Sequence, residues 1–315
     1  MPDAVRVLVT GGAGFIGSTV VDLLVEHGYE VAVLDSLETG RREYLNPAVR
    51  FFETDIRDRE GLKKAFDAFR PQIVDHHAAQ ISVTASSRDP LFDAENNVIG
   101  SLNVLEAARA AEVEHFIFAS TGGALYGNPG PQAADESTAI APLSPYGAAK
   151  ACVEVYLRTY EATWGLSYAA LRYANVYGPR QTPEGEAGVV AIFTARMLSG
   201  RTPVIFGDGD QERDFVFAGD VARANLVAIE RRLTGAYNVG TGEATTVNEV
   251  AREIAQACSY GGPIEHGPER PGEVRSIKLD ATKLRRETGW QPTVAMKEGI
   301  ALTVAHHKAF TKDLA

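Results

Sequence analysis

Alternation of short apolar runs with amphipathic segments is the feature that most limits how this chain can fold. Eight segments follow this pattern, alternately as strand and helix, and they cover residues 5–10, 14–27, 31–35, 61–69, 72–76, 94–111, 115–120 and 145–164. Strands separated by helices at this spacing are typical of a parallel sheet that is covered on both faces. The sequence therefore predicts an α/β fold that begins with a Rossmann-like, doubly wound parallel sheet.

The pattern changes after about Tyr173, where the segments become shorter and richer in proline and glycine. This change predicts a Rossmann domain over residues 1–174 and a smaller mixed α/β C-terminal lobe, over residues 175–315, that binds the substrate. We expect some segments of the lobe to return to the first domain. We also expect loops, rather than strands, to face the site, because loops commonly carry binding residues.

The charge and composition of the chain exclude several classes of protein. Its 315 residues carry a formal net charge of −10, so neither nucleic acid nor an anionic membrane surface is expected as a partner. No apolar run is long enough to span a membrane, and the first residues predict no signal or transit peptide. Two cysteines, Cys152 and Cys258, are too few for a disulfide framework or a zinc site, so we expect no metal and a reducing cytoplasm.

A glycine-rich turn lies between the first predicted strand and the first predicted helix. Gly11, Gly14 and Gly17 are spaced as in dinucleotide-binding proteins, where glycines allow a tight turn and close approach of the backbone to a pyrophosphate. The free N–H groups at the start of the helix supply positive potential without a cationic side chain. An acidic chain can bind an anionic dinucleotide in this way.

Asp35, at the end of the second predicted strand, indicates which dinucleotide binds. A carboxylate there can accept hydrogen bonds from a ribose hydroxyl and would repel a 2′-phosphate, which favours NAD over NADP. Arg41 and Arg42 leave NADP open as an alternative, since either could fold back onto a phosphate.

Tyr146 and Lys150 lie one helical turn apart after an N-cap serine, Ser144. A free phenol has a pKa of about 10, but a nearby ammonium and an oxidised nicotinamide ring would stabilise the phenolate. Tyr146 could then take a proton from a sugar hydroxyl while hydride leaves the same carbon. This spacing alone is most often a surface pair, but beside a dinucleotide turn it predicts a catalytic pair, with the hydroxyls of Ser120-Thr121 nearby.

The chain resembles the extended short-chain dehydrogenase/reductase family, and within it the UDP-glucose 4-epimerases, over essentially its whole length. The shared motifs are Thr10–Gly17, Asp35 with Gly40, Asp55-Ile56, His77–Gln80, Asn97, Ser120-Thr121, Tyr126-Gly127, Tyr146 with Lys150, Leu171–Tyr173 with Asn175, Arg213–Phe215, Asp220-Val221, Tyr237–Gly240 and Arg270–Glu273.

The resemblance implies a role for each matching residue. Thr121, Tyr146 and Lys150 would be catalytic. The residues that would bind NAD are Gly11, Gly14, Phe15, Ile16, Gly17, Asp35, Ser36, Leu37, Thr39, Gly40, Asp55, Ile56, His77, Ala78, Ala79, Gln80, Asn97, Tyr146 and Lys150. Those that would bind a UDP-sugar are Thr121, Tyr146, Asn175, Val189, Val190, Phe206, Arg213, Arg270 and Glu273.

One departure from related enzymes narrows the reaction. The resemblance implies that dehydratases and decarboxylating relatives carry an acid directly after the strand-end hydroxyl or one residue later, where this chain has Gly122 and Gly123. Without that acid, the simplest reaction is 4-epimerisation of a UDP-hexose through a transient 4-keto sugar and bound NADH. The loop is one glycine longer than in most of these epimerases, so Ser120 stays open as the alternative to Thr121.

The substrate and the partners stay partly open. The resemblance implies that the residue three before Asp280 crowds the C2 substituent of the sugar. The intermediate size of Ile277 at this position leaves UDP-glucose and UDP-galactose as the first choice, with UDP-N-acetylhexosamines or UDP-uronates as alternatives. A net NAD-dependent oxidoreductase and a non-catalytic NAD-sensing protein are further alternatives. The resemblance also implies a homodimer whose interface is a four-helix arrangement of residues 97–111 and 145–164 from each copy.

Overall fold

A seven-stranded sheet forms the centre of the protein in a computed structural model that describes residues 4–130, 132–183, 188–269 and 274–312. In chain order all strands of the described residues, seven of which form this sheet, are β1 (Arg6–Thr10), β2 (Glu30–Asp35), β3 (Arg50–Glu53), β4 (Ile73–His76), β5 (His115–Thr121), β6 (Ser167–Tyr173), β7 (Asn175–Tyr177), β8 (Val204–Phe206), β9 (Glu212–Arg213), β10 (Phe215–Phe217), β11 (Gly235–Val239), β12 (Thr245–Thr246), β13 (Glu265–Gly267) and β14 (Ser276–Ile277). The central sheet has the order β3-β2-β1-β4-β5-β6-β11, and each neighbouring pair is parallel.

Helices cover both faces of this sheet. In chain order the helices of the described residues, including those that lie away from the sheet, are α1 (Phe15–Glu26), α2 (Arg59–Phe69), α3 (Val83–Arg88), α4 (Pro90–Ala94), α5 (Ser101–Ala110), α6 (Gly122–Leu125), α7 (Pro145–Trp164), α8 (Val189–Leu198), α9 (Ala218–Arg231), α10 (Val247–Cys258), α11 (Thr282–Thr288) and α12 (Met296–Lys312). Because strand side chains alternate between faces, Val7 and Val9 pack towards α1 and α9, whereas Leu8 packs towards α2, α5 and α7. This arrangement confirms the predicted fold class.

The chain returns to the sheet after residue 174. Helix α9 packs beside α1, and β11 pairs in parallel with β6 as the last strand of the sheet. The structure differs from the prediction in the helix expected over 94–111. It is divided into α4, a π-helical turn over Glu95–Gly100, and α5. Such π-helical turns are frequent at functional sites.

Outside the sheet, α8, α10 and α12 surround a core of their own. Its buried members include Phe193, Met197, Val250, Ile254 and Ile300. Short strands pair outside the central sheet: β7 with β10, β8 with β13, and β9 with β12 and β14. We expected loops to face the site, but the predicted substrate residues Asn175, Phe206 and Arg213 lie on β7, β8 and β9. Among the described residues, no helix combines the length and apolar character needed to cross a membrane.

Candidate active site

The glycine turn after β1 is shaped by contacts that exclude a side chain. Gly11 has a φ of +68°, and a Cβ placed on it would lie 2.6 Å from the backbone nitrogen of Ala78. A Cβ on Gly17 would collide with the carbonyl oxygen of Gly11. The N-cap of α1 is Gly14, which supplies no side-chain cap, so the first N–H groups of the helix, at Phe15 and Ile16, are available to an anion. The turn therefore fits a pyrophosphate.

Asp35 lies where β2 ends, next to this turn. Its two carboxylate oxygens accept hydrogen bonds from the N–H groups of Ala13 (3.0 Å) and Leu37 (2.8 Å). Burial raises the pKa of the Asp35 carboxyl, and both amide hydrogen bonds oppose that rise. A carboxylate has further lone pairs, so Asp35 can still accept bonds from ribose hydroxyls. Arg42 pairs with Glu53 at 2.5 Å instead of folding back towards Asp35, which favours NAD over NADP.

The loop after Asp35 carries Ser36, Leu37, Thr39 and Gly40. Leu37 has a left-handed φ of 58°, which is uncommon for a residue with a side chain. A Cβ on Gly40 would lie 2.7 Å from the Asp35 carboxylate, so Gly40 keeps this carboxylate accessible to the turn.

The residues expected around the adenine lie after β3. The Asp55 carboxylate pairs with Arg57 at 2.5 Å, and the hydrogen bond from Arg57 is the main cause that lowers the pKa of Asp55. Ile56 is buried, and its Cδ1 would lie 2.6 Å from a Cβ on Gly100 in the π-helical turn. The expected contact with adenine stays a prediction for both residues.

The segment from His77 to Gln80 follows β4 and lies against the glycine turn. The Gln80 N–H donates to Asn97 Oδ1 (2.8 Å), and Asn97 Nδ2 donates back to the Gln80 carbonyl (2.8 Å). The Ala78 N–H donates to the Thr10 hydroxyl (3.3 Å), which places Ala78 and Ala79 beside the turn. His77 Nε2 lies 2.9 Å from Asp75 Oδ1. The π-helical turn that carries Asn97 therefore fixes the expected cofactor-binding segment.

Helix α7 carries the predicted catalytic pair. The Ser144 hydroxyl caps the helix by accepting from the Gly147 N–H (3.2 Å), as predicted. Lys150 is buried, and its Nζ donates to the carbonyl of Ala119 on β5 (2.8 Å) while lying 5.9 Å from the centre of the Tyr146 ring. This contact ties the lysine to the strand that ends in Thr121.

The pKa values of this pair differ from the expectation in one respect. Burial lowers the pKa of Lys150 to about 8, against the opposing charges of Asp93 and Glu154. Burial also raises the pKa of Tyr146 above its ordinary value, and the charge of Asp93 adds to the rise. Lys150 alone therefore does not make this phenol acidic. An oxidised nicotinamide beside the phenol would add positive charge and lower its pKa, as expected from the sequence.

The two hydroxyls at the end of β5 have different environments. Ser120 is buried and donates to Glu154 Oε1 (2.6 Å), which commits its hydroxyl proton to the protein interior. The Thr121 hydroxyl accepts from the Ala124 N–H (3.2 Å) as the N-cap of α6, so its own proton remains able to donate to a ligand. This geometry favours Thr121 over Ser120 as the hydroxyl that meets a reacting oxygen.

The glycines that follow Thr121 are not equivalent. A Cβ on Gly122 would lie 2.7 Å from Cδ2 of Leu279, which is buried against it. A Cβ on Gly123 would have ordinary contacts only, at 3.6 Å from Asn175 Oδ1 and 3.8 Å from Thr121 Oγ1. A side chain at position 123 would therefore lie between Thr121 and Asn175. Because Gly122 and Gly123 have no side chains, neither supplies an acid there.

The other residues expected at the nucleotide-sugar lie in the C-terminal lobe. Val189 and Val190 begin α8, but the Val190 side chain is buried in the lobe core, so only its backbone can face a ligand. Phe206 is 38% exposed at the end of β8, and Arg213 lies on β9 in register with the buried Ile277 of β14. Arg270 and Glu273 lie outside the described residues, so their predicted roles are not located.

Phe206 borders a surface depression that the sequence did not indicate as a unit. Its lining residues are Phe206, Gly207, Asp208, Gln211, Glu269, Val274 and Arg275. Arg275 and Asp208 form an ion pair across it (2.8 Å). Both residues flank the expected nucleotide-sugar positions, and neither was a predicted site residue.

Two buried acids near the catalytic pair were also missed. Asp93 accepts hydrogen bonds from Gln80 and Asn97, and Glu154 forms a buried ion pair with Arg172 at 2.6 Å. For Glu154 a signal existed, because it follows Lys150 by one helical turn and therefore lies on the same side of α7. A similar signal existed for Asp93, because it precedes Asn97, a predicted cofactor-binding residue, by one helical turn.

Comparison with known proteins places this geometry in a family. The model of the "NAD dependent epimerase/dehydratase family" matches residues 7–240. The chain belongs to this family. A putative UDP-glucose 4-epimerase of Methanocaldococcus jannaschii is 46% identical over 298 residues, which cover 95% of this chain and 97% of that protein. The UDP-glucose 4-epimerase of Mycolicibacterium smegmatis is also 46% identical, over 305 residues that cover 95% and 97% of the two chains.

Solved structures of family members have the same fold. The UDP-glucose 4-epimerase of Thermotoga maritima, solved with UDP-glucose, is 48% identical and superposes with a TM-score of 0.93, covering 98% of this chain and 100% of that one. The enzyme of Thermus thermophilus, in complex with NAD, is 50% identical with a TM-score of 0.92 and covers 96% and 99%. These similarities confirm the resemblance inferred from the sequence motifs.

Proposed function

We propose that this protein is an isomerase, an NAD-dependent 4-epimerase of UDP-hexoses that interconverts UDP-glucose and UDP-galactose. The observation that carries the proposal is the arrangement of Tyr146 and buried Lys150 on α7, with Lys150 bonded to the strand that ends in Thr121, and with no acid at Gly122 or Gly123. The similarity to UDP-glucose 4-epimerases over nearly the whole chain supports the same reaction.

Each residue has a task that follows from its geometry. When bound, NAD accepts hydride from C4 of the sugar and later returns it. Tyr146, as a phenolate, takes the proton of the C4 hydroxyl, which leaves a C4 ketone on the sugar. The Thr121 hydroxyl donates to the same oxygen, and the Lys150 ammonium stabilises the phenolate. Once the keto sugar has turned over, Tyr146 would return the proton to the C4 oxygen.

The absence of an acid beside Thr121 limits the reaction to this cycle. Elimination of water or loss of a carboxyl group needs a further proton transfer, and Gly122 and Gly123 have no group to perform it. Without such a group, the keto sugar would have no exit other than reduction back to a hexose, so the proposed cycle would produce no net oxidation.

The experiment that tests this proposal uses the purified protein and a panel of UDP-sugars, with products identified by NMR and no NAD added. We expect conversion of UDP-glucose to UDP-galactose and the reverse, by cofactor that co-purifies. Absorbance of free NADH should not grow when NAD is supplied. Stoichiometric NADH would instead indicate a net oxidoreductase, and no reaction with any UDP-hexose would contradict the proposal.

UDP-N-acetylhexosamines are the second candidate substrates. A UDP-N-acetylglucosamine 4-epimerase of Methanobrevibacter ruminantium is 33% identical, with a TM-score of 0.92. Ile277, at the position expected to crowd C2, is smaller than a tyrosine and is buried in the core. The same panel distinguishes the two candidates.

We further propose a homodimer in a reducing cytoplasm, where Cys152 and Cys258 stay free. Large apolar side chains from the helices near α5 and from α7 are exposed on what we call the apolar helix face; they are Leu91 (78% exposed), Ile99 (51%), Val155 (52%) and Tyr156 (37%). Helix α7 packs against α4 and the π-helical turn, and several exposed large apolar side chains on neighbouring helices are typical of an interface between subunits.

A glutamate in this face should separate the subunits. We expect the wild type to sediment as two copies and Val155→Glu as one, because a charge would be buried in the interface. Leu302→Glu is the matched control, since Leu302 is 45% exposed on α12 and lies outside the apolar helix face. A dimeric Val155→Glu variant would contradict this interface.

A further inference from the structure

Asp93 is a buried carboxylate that the proposed reaction does not use. It lies on α4, directly before the π-helical turn, and is 1% exposed. A buried charge needs partners, because its transfer from water is unfavourable. The identity of those partners indicates what this carboxylate does.

The partners of Asp93 are two residues expected to bind the cofactor. Gln80 Nε2 donates to Asp93 Oδ1 (2.8 Å), and Asn97 Nδ2 donates to the same oxygen (2.9 Å). Gln80 and Asn97 are also bonded to each other through their backbone and side-chain amides. The carboxylate therefore closes a three-residue network that joins α4, the π-helical turn and the segment after β4.

The charge of Asp93 also acts on the catalytic pair. Its carboxylate attracts Lys150 and repels a phenolate at Tyr146. The other ionisable groups that face the pair are Glu154, on α7, which is held by Arg172, and His76, on β4, whose pKa burial lowers well below its ordinary value. Among the described residues, Asp93 and Glu154 are the two acids near Lys150. Glu154 is paired with an arginine, whereas Asp93 accepts its hydrogen bonds from neutral amides.

We propose that Asp93 is a positioning residue that holds Gln80 and Asn97 for the cofactor and that places a buried negative charge near Lys150 and Tyr146. This inference rests on the proposed function, in which Tyr146 and Lys150 are the proton-transfer pair. The charge has two effects: it preserves the cation on which the phenolate depends, and it keeps Tyr146 protonated until a cofactor brings further positive charge.

The test is the pH dependence of kcat in Asp93→Asn. The amide oxygen of the new side chain can accept both hydrogen bonds at the Oδ1 position, so this variant removes the charge and keeps the network. Burial already brings the pKa of Lys150 to about 8, and loss of a neighbouring negative charge lowers it further. In the plot of kcat against pH, the fall at alkaline pH, where Lys150 loses its proton, should therefore move to lower pH by about one unit. We call the rise at acid pH and this fall the acid limb and the alkaline limb. The acid limb should move in the same direction, because the phenolate is no longer repelled.

Two further variants separate charge from structure. Glu95→Gln removes an exposed carboxylate from the adjoining turn and should leave both limbs in place. Asp93→Ala removes the acceptor as well, and should add a loss of co-purified NAD that Asp93→Asn does not show. If Asp93→Asn does not fold, Asp93→Ser takes its place. Limbs at their wild-type positions in a folded, charge-free variant would overturn the proposal.

A spectroscopic titration keeps this inference separate from the proposed reaction. The ultraviolet absorbance of tyrosinate in the NAD-loaded protein, measured against Tyr146→Phe, reports the ionisation of Tyr146 without turnover. We expect Asp93→Asn to lower the pH of this transition. Lack of epimerase activity in the wild type would contradict the proposed function alone, whereas an unmoved transition would contradict the role of Asp93.

Discussion

Epimerisation by Tyr146→Phe is expected to fall by about 10²- to 10⁴-fold, which is the usual contribution of a positioned acid–base group. The substitution removes only the phenolic oxygen, so no group remains to take the proton of the C4 hydroxyl. The ring still fills its place on α7, and the glycine turn and Asp35 are untouched. NAD should therefore co-purify in wild-type amounts, as measured by mass spectrometry of the denatured protein.

Tyr156→Phe is the matched control for this experiment. Tyr156 lies on the same helix, in the apolar helix face, and is 37% exposed; loss of its hydroxyl makes this face more apolar and should leave kcat unchanged. If Tyr146→Phe retained full activity, another group would be the base, and the assignment of the catalytic pair would be wrong.

Arg172→Met is expected to lower the free energy of unfolding by about 3–5 kcal/mol. Arg172 and Glu154 are 6% and 7% exposed, and their ion pair is reinforced by further bonds from Arg172 Nε to Glu154 Oε1 (3.0 Å) and from Arg172 Nη1 to the Tyr126 hydroxyl (2.9 Å). Removal of the arginine leaves the Glu154 carboxylate buried with one neutral donor, Ser120. The measurement is chemical denaturation monitored by circular dichroism.

Two comparisons show whether the burial of this pair causes the effect. Lys63→Met breaks an exposed ion pair with Asp67 and should not move the denaturation midpoint detectably. The double variant Glu154→Gln/Arg172→Met should lose less stability than the sum of the single variants, because neither partner is then left charged alone. A cost for Arg172→Met equal to that of Lys63→Met would refute a stabilising role for the pair.

Local spacing made the sheet and the reactive pair predictable from sequence. The glycines of the turn and Asp35 are separated by distances that the strand–turn–helix unit itself sets, so their meeting point follows from the chain. Tyr146 and Lys150 share a helix face for the same reason. In each case, secondary structure alone brings the residues together.

Contacts between distant segments were not predictable in this way. Glu154 meets Ser120 and Arg172 only because β5, β6 and α7 pack together, and each partner alone resembles an ordinary polar residue. The division of the helix predicted over 94–111 has a similar origin, since Asn97 bonds to Gln80 across the cofactor segment. We expected some segments of the lobe to return to the first domain, but which segments do so, α9 and β11, depends on tertiary packing against α1 and β6.

Gly122 and Gly123 have different surroundings, so the two adjacent positions should tolerate substitution to different extents. Position 122 does not accept a larger residue unless the buried side chain of Leu279 is displaced. Position 123 tolerates a side chain, and that side chain would project between the oxygen atoms of Thr121 and Asn175. Laboratory evolution of this scaffold towards a lyase would accordingly enter through codon 123, where an acid can be gained without first remodelling the interior.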